Sequence, residues 1–155
     1  MHSMRYGLAL VALCLLVSGC ATPLARGELS VSTERWEMKL LNLTAGPDQY
    51  MTAGGTMRPR EGRRYVWATI RLRNVLKTHQ VFRLDRVYVY YGETRKKPCI
   101  IDMGSFISLR ADPAPKLRPG ETVCRTLAYM LPCGVTPGRL AYENGAIVIP
   151  AAGGR

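Results

Sequence analysis

The sequence predicts an all-β protein, an antiparallel β-sandwich or barrel of about seven to nine short strands. Three observations lead there. Several runs alternate apolar and polar residues, most cleanly Tyr65–Asn74. Clusters of glycine, proline, asparagine and aspartate separate these runs, as turns do between short strands. After residue 20 no stretch repeats apolar residues at helical spacing, so no amphipathic helix is expected. The sequence also holds no internal repeat and no low-complexity block.

The first element precedes the sandwich. Arg5 is followed by an apolar run, Tyr6–Val17, that ends in Val17-Ser18-Gly19-Cys20. A charged start, about 12 apolar residues and small residues before a cut describe an export signal. The run is shorter than the roughly 20 apolar residues that cross a bilayer. The last four residues resemble the lipobox of bacterial lipoproteins. That resemblance implies cleavage before Cys20, a diacylglyceryl group on its sulfur, and firm anchoring by two or more acyl chains. An ordinary secretory signal with a chance cysteine is the alternative. Ala21, rather than Asp, follows the cysteine. By the same resemblance this implies an outer-membrane lipoprotein facing the periplasm, with surface exposure left open. The expected segments are a signal at 1–19, a lipidated tether at 20–27, the sandwich at 28–150 and a frayed tail at 151–155.

Removing residues 1–19 takes away a single charge, Arg5, so the formal charge falls from +11 to +10. The remaining length suits one domain. A basic intracellular domain would suggest nucleic acid. An exported one meets lipid head groups, lipopolysaccharide phosphates and acidic glycans instead, and no nucleic-acid partner is expected. The plain alternative is solvated surface charge. Cys14 leaves with the signal and Cys20 is acylated, so Cys99, Cys124 and Cys133 allow one disulfide and one odd thiol. Cys124 and Cys133 stand near the ends of one expected strand, about 30 Å apart. Bridged Cα atoms sit only about 5.5 Å apart. The expected bridge therefore joins Cys99 to Cys124 or to Cys133.

Along the sandwich, Glu28–Ser32 reads as a first strand. In Trp36–Leu43, Trp36, Met38 and Leu40 alternate with Glu37, Lys39 and Leu41. Residues 44–63 form a long Gly/Pro-rich connection, with Arg58, Arg60 and Arg63 at its end and Arg64 opening the next strand. Loops of this length are usually functional or mobile. In Tyr65–Asn74, Val66, Ala68, Ile70 and Leu72 share one face, and Tyr65, Trp67, Thr69, Arg71 and Arg73 share the other. The second face is expected to meet solvent. Val81–Tyr91 continues in β residues, with a change of parity near Asp85-Arg86 that signals a bulge or turn. Pro98–Asp102 and Phe106–Arg110 are short apolar pieces, and the prolines of Ala111–Gly120 make it loop. Glu121–Leu131 is another strand, interrupted in pattern by Arg125 and stopped by Pro132. Arg139–Glu143 and Ala146–Ile149 flank Asn144-Gly145, the turn expected of a two-residue hairpin with φ > 0 at both positions.

Three pieces together resemble a known group of exported domains. They are Gly62-Arg-Arg-Tyr-Val-Trp-Ala-Thr-Ile-Arg-Leu-Arg-Asn74, Phe82-Arg-Leu-Asp85 and Leu117-Arg-Pro-Gly-Glu-Thr-Val-Cys-Arg-Thr-Leu-Ala-Tyr-Met-Leu-Pro132. The group is the immunoglobulin-like, telokin-like sandwiches of bacterial lipoproteins, relatives of the immunoprotective extracellular protein. The resemblance spans roughly residues 28–150 and implies a fold and a compartment, not a reaction. Arg125 departs from the pattern, which usually has a small residue there.

Catalytic chemistry finds little to work with. His79 is the single histidine of the mature chain, in a turn-like Lys77-Thr78-His79-Gln80, with no nucleophile suggested nearby. Met38, Met51, Met57, Met103 and Met130 have no chelate spacing, and the carboxylates are spread singly. No enzyme activity, cofactor or metal is expected; a metal carrier or hydrolase is the weakest alternative. The constellation that stands out is the stripe Tyr65, Trp67, Arg71 and Arg73, joined by Tyr88, Tyr90 and Arg86. Aromatic faces beside guanidinium groups suit sugar rings, anionic head groups or a protein hot spot. Cross-strand pairing that merely covers the sheet is the alternative. The expected role is a non-catalytic accessory module for an envelope protein partner. The second expectation is an anionic glycan or lipid bound through Arg58, Arg60, Arg63 and Arg64.

Overall fold

The computed structural model describes residues 21–25, 27–104 and 109–151. The expected signal 1–19, the lipidation site Cys20, tail residues 152–155 and the 106–108 part of the Phe106–Arg110 piece lie outside the described residues. In chain order the strands are β1 (Thr22–Ala25), β2 (Leu29–Ser32), β3 (Trp36–Ala45), β4 (Tyr50–Thr52), β5 (Gly55–Met57), β6 (Arg63–Asn74), β7 (Gln80–Val81), β8 (Tyr88–Tyr91), β9 (Thr94–Lys96), β10 (Ile100–Asp102), β11 (Lys116–Leu117), β12 (Thr122–Pro132), β13 (Arg139–Tyr142) and β14 (Gly145–Val148). A 3-10 turn at Leu84–Arg86 makes the parity change expected near Asp85-Arg86. The fold is all-β, as the alternation predicts. The expected long strands are present, and pieces of two to four residues in stretches read as loop or tether raise the number to fourteen among the described residues.

The large sheet runs β1-β3-β6-β12-β10, with β2 also paired to β3. The second sheet runs β14-β13-β8-β9. The pairings within both sheets are antiparallel. β6 and β12 pair from Arg73↔Thr122 to Arg63↔Pro132 and form the spine. The apolar parity of β6 (Val66, Ala68, Ile70, Leu72) faces inward, as predicted, and packs on Val87, Val89, Leu140 and Ile147 of the second sheet side. Each such side chain contributes roughly 1.5–3 kcal/mol when fully buried.

Thr22–Ala25, expected as tether, pairs as β1 with Leu43–Ala45. Its apolar Leu24 and Ala25 pack against the core, which draws the segment onto the sheet edge. β1 and β2 together make one edge, broken at Gly27 (φ +86°) across from a bulge between Leu40 and Asn42.

Asn74 ends β6 and locks two turns together. Its Nδ2 donates to the carbonyls of Thr78 (2.8 Å), Arg118 (3.1 Å) and Leu117 (3.2 Å), and its Oδ1 accepts from Leu76 N–H (3.0 Å). Asn74 and Pro119-Gly120-Glu121, singled out separately in the sequence, are thus one device: Gly120 N–H donates to the Asn74 carbonyl. Arg125 lies on the inward parity of β12 opposite Ile70. Its guanidinium bends back to donate to the Cys124 carbonyl at 2.7 Å.

The β13–β14 turn falls one residue earlier than expected. Tyr142 pairs with Gly145, so the two turn residues are Glu143 and Asn144, and Glu143 carries the positive φ (+47°). Gly145 serves packing instead: a Cβ there would collide with the Trp36 ring. That ring is fully buried, packs at a 59° tilt against Tyr142 (centroids 5.2 Å apart) and donates from Nε1 to Glu143 Oε2 (3.0 Å).

Candidate functional site

The stripe expected on the outer face of β6 divides into two halves. At the start of β6, Tyr65 is not exposed: it is 1% accessible. The cause is the Gly/Pro-rich stretch expected as an open loop. It folds as the β4–β5 hairpin, which pairs Tyr50 with Met57 and lies over the sheet. Tyr50, Tyr65, Ile100 and Ala128 form a second small core, with Met57, Trp67 and Met130 packed against it. Trp67 is half-buried and edge-on to Tyr65 (5.6 Å), and its Nε1 donates to the Pro47 carbonyl (2.9 Å). Tyr50 Oη donates to the buried Asp102 carboxylate at 2.7 Å. Burial first, then this hydrogen bond and the Asp102 charge, push the Tyr50 phenol up to about 12.

At the other end of the same face nothing described covers the sheet. Two cross-strand rows lie side by side: Glu37, Arg73 and Thr122, then Lys39, Arg71 and Cys124. Glu37, Lys39, Arg71, Arg73, Gly120 and Thr122 line an open groove of about 380 Å³. That volume falls within the roughly 300–1,000 Å³ of small-ligand sites. Gly120 (φ +73°) forms its rim without a side chain. Lys39 Nζ is held by Glu28 Oε1 (2.7 Å) and lies 3.7 Å from Glu37 Oε1. Their mutual hydrogen bond, then each partner's opposite charge, raises the Lys39 ammonium and lowers the Glu28 carboxyl from their ordinary ranges. Among the described residues neither Arg71 nor Arg73 has a carboxylate within 4.0 Å. Two adjacent guanidinium groups in a polar groove can receive an oxyanion in bidentate fashion.

The structure separates the remaining expected residues from these. Tyr88 and Tyr90 belong to β8 of the second sheet, with their Val87 and Val89 neighbours facing the shared core. Their rings therefore point away from the Trp67 face, and the seven-residue constellation does not exist as one site. Arg95 stacks on Tyr88 (4.9 Å) and Arg139 on Tyr90 (4.1 Å), so these aromatics are spent on cross-strand cation–π pairs. Arg86 is exposed in the 3-10 turn. Arg58, Arg60, Arg63 and Arg64 gather at the start of β6, far from the groove; Arg58, Arg60 and Arg63 are exposed and Arg64 half-buried.

The expected disulfide is not formed: Cys99, Cys124 and Cys133 are all free and exposed. Cys99 N–H donates to the Ala128 carbonyl, placing Cys99 beside the middle of β12. Cys124 and Cys133 then lie about 13–17 Å away along that strand, beyond the ~7 Å limit of a bridge. His79 is exposed in the turn after β6. Met38 is core, Met57 and Met130 support the second core, and Met51 and Met103 are exposed at 66% and 43%. Among the described residues no three His, Cys, Asp or Glu side chains converge.

Sequence reasoning missed Glu37, Lys39 and Thr122 as partners of Arg71 and Arg73. Strand alternation put Glu37 and Lys39 on one face of β3, but only the β3–β6 register brings them beside the arginines.

No family model matches the chain, and no curated protein does. Solved structures share its fold. A conserved protein of Bacillus anthracis superposes with a TM-score of 0.57 at 12% identity, over 85% of this chain and 99% of its own. An uncharacterised β-sandwich protein of Clostridium difficile gives 0.53 at 10%, over 83% and 93%. A candidate lipoprotein of Bacillus subtilis gives 0.51 at 12%, over 77% of this chain; the match spans 36% of that longer protein. At such identities the likeness is one of fold: a bacterial β-sandwich.

Proposed function

We propose that the chain is an envelope lipoprotein, acylated at Cys20, whose sandwich is a non-catalytic module for an anionic envelope glycan or lipid head group. The observation that carries the ligand is the open groove, where Arg71 and Arg73 stand side by side with no carboxylate within 4.0 Å among the described residues. The lipobox-like Val17–Cys20 carries the anchor, and a candidate lipoprotein among the structures of like fold supports it. Membership of the immunoglobulin-like, telokin-like group and placement at the outer membrane belong to the same proposal. So does the absence of catalysis.

The test is binding of the lipidated protein to lipopolysaccharide and to its phosphate-stripped form. Wild type prefers the phosphorylated form and loses it as salt rises, because exposed charges are screened within about 8 Å at physiological ionic strength. Arg71→Ala with Arg73→Ala weakens binding at least about tenfold. Unchanged binding by that double variant removes the groove from the account. An envelope protein partner is the second reading. It is favoured by the exposed apolar Met51, Met103 and Leu109 beside the β4–β5 hairpin, and predicts a co-purifying protein that survives high salt.

A further inference from the structure

β1 joins the large sheet almost immediately after the acylation position. Ala21 is the first described residue, and Cys20 is one peptide bond, about 3.8 Å between Cα atoms, before it. Thr22 lies across from Ala45, and Ala45 across from Val66. Both pairings are antiparallel, so β1 runs parallel to β6. Stepping back from Thr22 toward Cys20 thus moves the same way as stepping back from Val66 to Arg64. The chain leaves for its lipid at the end of the sheet where β6 begins, two strand spacings or about 10 Å to the side.

That end is the arginine-rich one. Arg58, Arg60 and Arg63 are exposed there, around a turn closed by Arg63 N–H on the Arg60 carbonyl (3.0 Å). Cys133 N–H donates to the Gly62 carbonyl (3.0 Å), which ties the turn to the end of β12. Among the described residues the carboxylates nearby are Glu61, exposed, and Asp48, whose Oδ1 accepts from Tyr65 N–H (2.7 Å). Residues 58–64 therefore carry an excess of positive charge beside the point of anchoring.

We propose that this end is a membrane-docking surface. With Cys20 acylated, as proposed above, Arg58, Arg60 and Arg63 rest on anionic phospholipid head groups of the leaflet that holds the acyl chains. A polybasic patch next to a lipid anchor is the arrangement that anionic leaflets attract. The strands then stand away from the membrane. The Arg71–Arg73 groove is held about 23–30 Å farther along β6, where it faces the aqueous side.

The chain's own cysteines report the geometry. Cys133 sits at the docking end, tied to Gly62, and Cys124 sits in the groove row beside Arg71; both are free and exposed. Reduced, lipidated protein is reconstituted in vesicles of phosphatidylcholine alone or with phosphatidylglycerol. Both sets are treated with a membrane-impermeant maleimide, and labelling is read by peptide mass spectrometry. Docking predicts that phosphatidylglycerol slows Cys133 several-fold while Cys124 labels at one rate in both. High salt restores Cys133, as does Arg58→Glu with Arg60→Glu and Arg63→Glu. Equal labelling of Cys133 in both vesicles, with lipid on Cys20 verified by intact mass, overturns the docking and leaves the lipoprotein reading standing. Absence of that lipid overturns both. Arg71→Ala with Arg73→Ala leaves Cys133 protection intact, so failure of the groove is read separately.

Discussion

One strand face carries two fates. The outer side of β6 presents Tyr65 and Trp67 toward its start and Arg71 and Arg73 toward its end, all on one parity. The first half is closed under the β4–β5 hairpin and has become a small core; the second stays open as a polar groove. The chemistry of the side chains explains the division. Covering Tyr65 and Trp67 removes apolar area from water, at about 25 cal/mol per Å². Covering two guanidinium groups that have no carboxylate within 4.0 Å among the described residues would cost far more than it returned. The lesson is that a face that alternates cleanly is not thereby one functional surface.

The largest effect expected from this contrast is in the closed half. Tyr65→Ala empties the second core and should cost ~3–5 kcal/mol in chemical denaturation. A midpoint equal to wild type would show that the hairpin does not seal the face. Tyr50→Phe is milder. It keeps the ring but leaves Oδ2 of the buried Asp102 without its donor, while Gly104 N–H still donates to Oδ1, for a loss of ~1–3 kcal/mol.

The same hydroxyl should be visible in alkaline titration. Its folded pKa of about 12 lies above the ordinary 10.0. The contribution of the neutral phenol is therefore complete below about pH 10 and is lost as pH rises toward 12. Tyr65, Tyr129 and Tyr142 shift the same way, each led by burial, so Tyr50→Phe flattens the alkaline loss without abolishing it. An identical slope in variant and wild type would place the Tyr50 hydroxyl in water. The smallest stability effect is in the open half: Arg71→Ala with Arg73→Ala should leave Tm unchanged within error while ligand binding falls.

The fold class was legible because strand period is a local property: Val66, Ala68, Ile70 and Leu72 announce an inward face on their own. Asn74 and Pro119-Gly120-Glu121 announce turns for the same reason. The site was legible only in its arginines. Alternation says which side of its own strand a residue occupies. It does not say which sheet the strand joins, so alternation alone groups Tyr88 and Tyr90 with a face they oppose. Nor does it say what folds back on that side. The Tyr50–Met57 hairpin hides in a Gly/Pro-rich stretch, and the paired Tyr50-Met51-Thr52 and Gly55-Thr56-Met57 around Ala53-Gly54 were the available signal. The disulfide failed on the same missing quantity, the register of Cys99 against β12.

Hydrogen–deuterium exchange of the lipidated protein, with and without phosphorylated lipopolysaccharide, tests the division of the face most directly. The account predicts added protection in residues 37–39, 71–73 and 120–124, with residues 50–57 unchanged. Added protection centred on residues 50–57 and 103–110, with the groove segments unaltered, would contradict it.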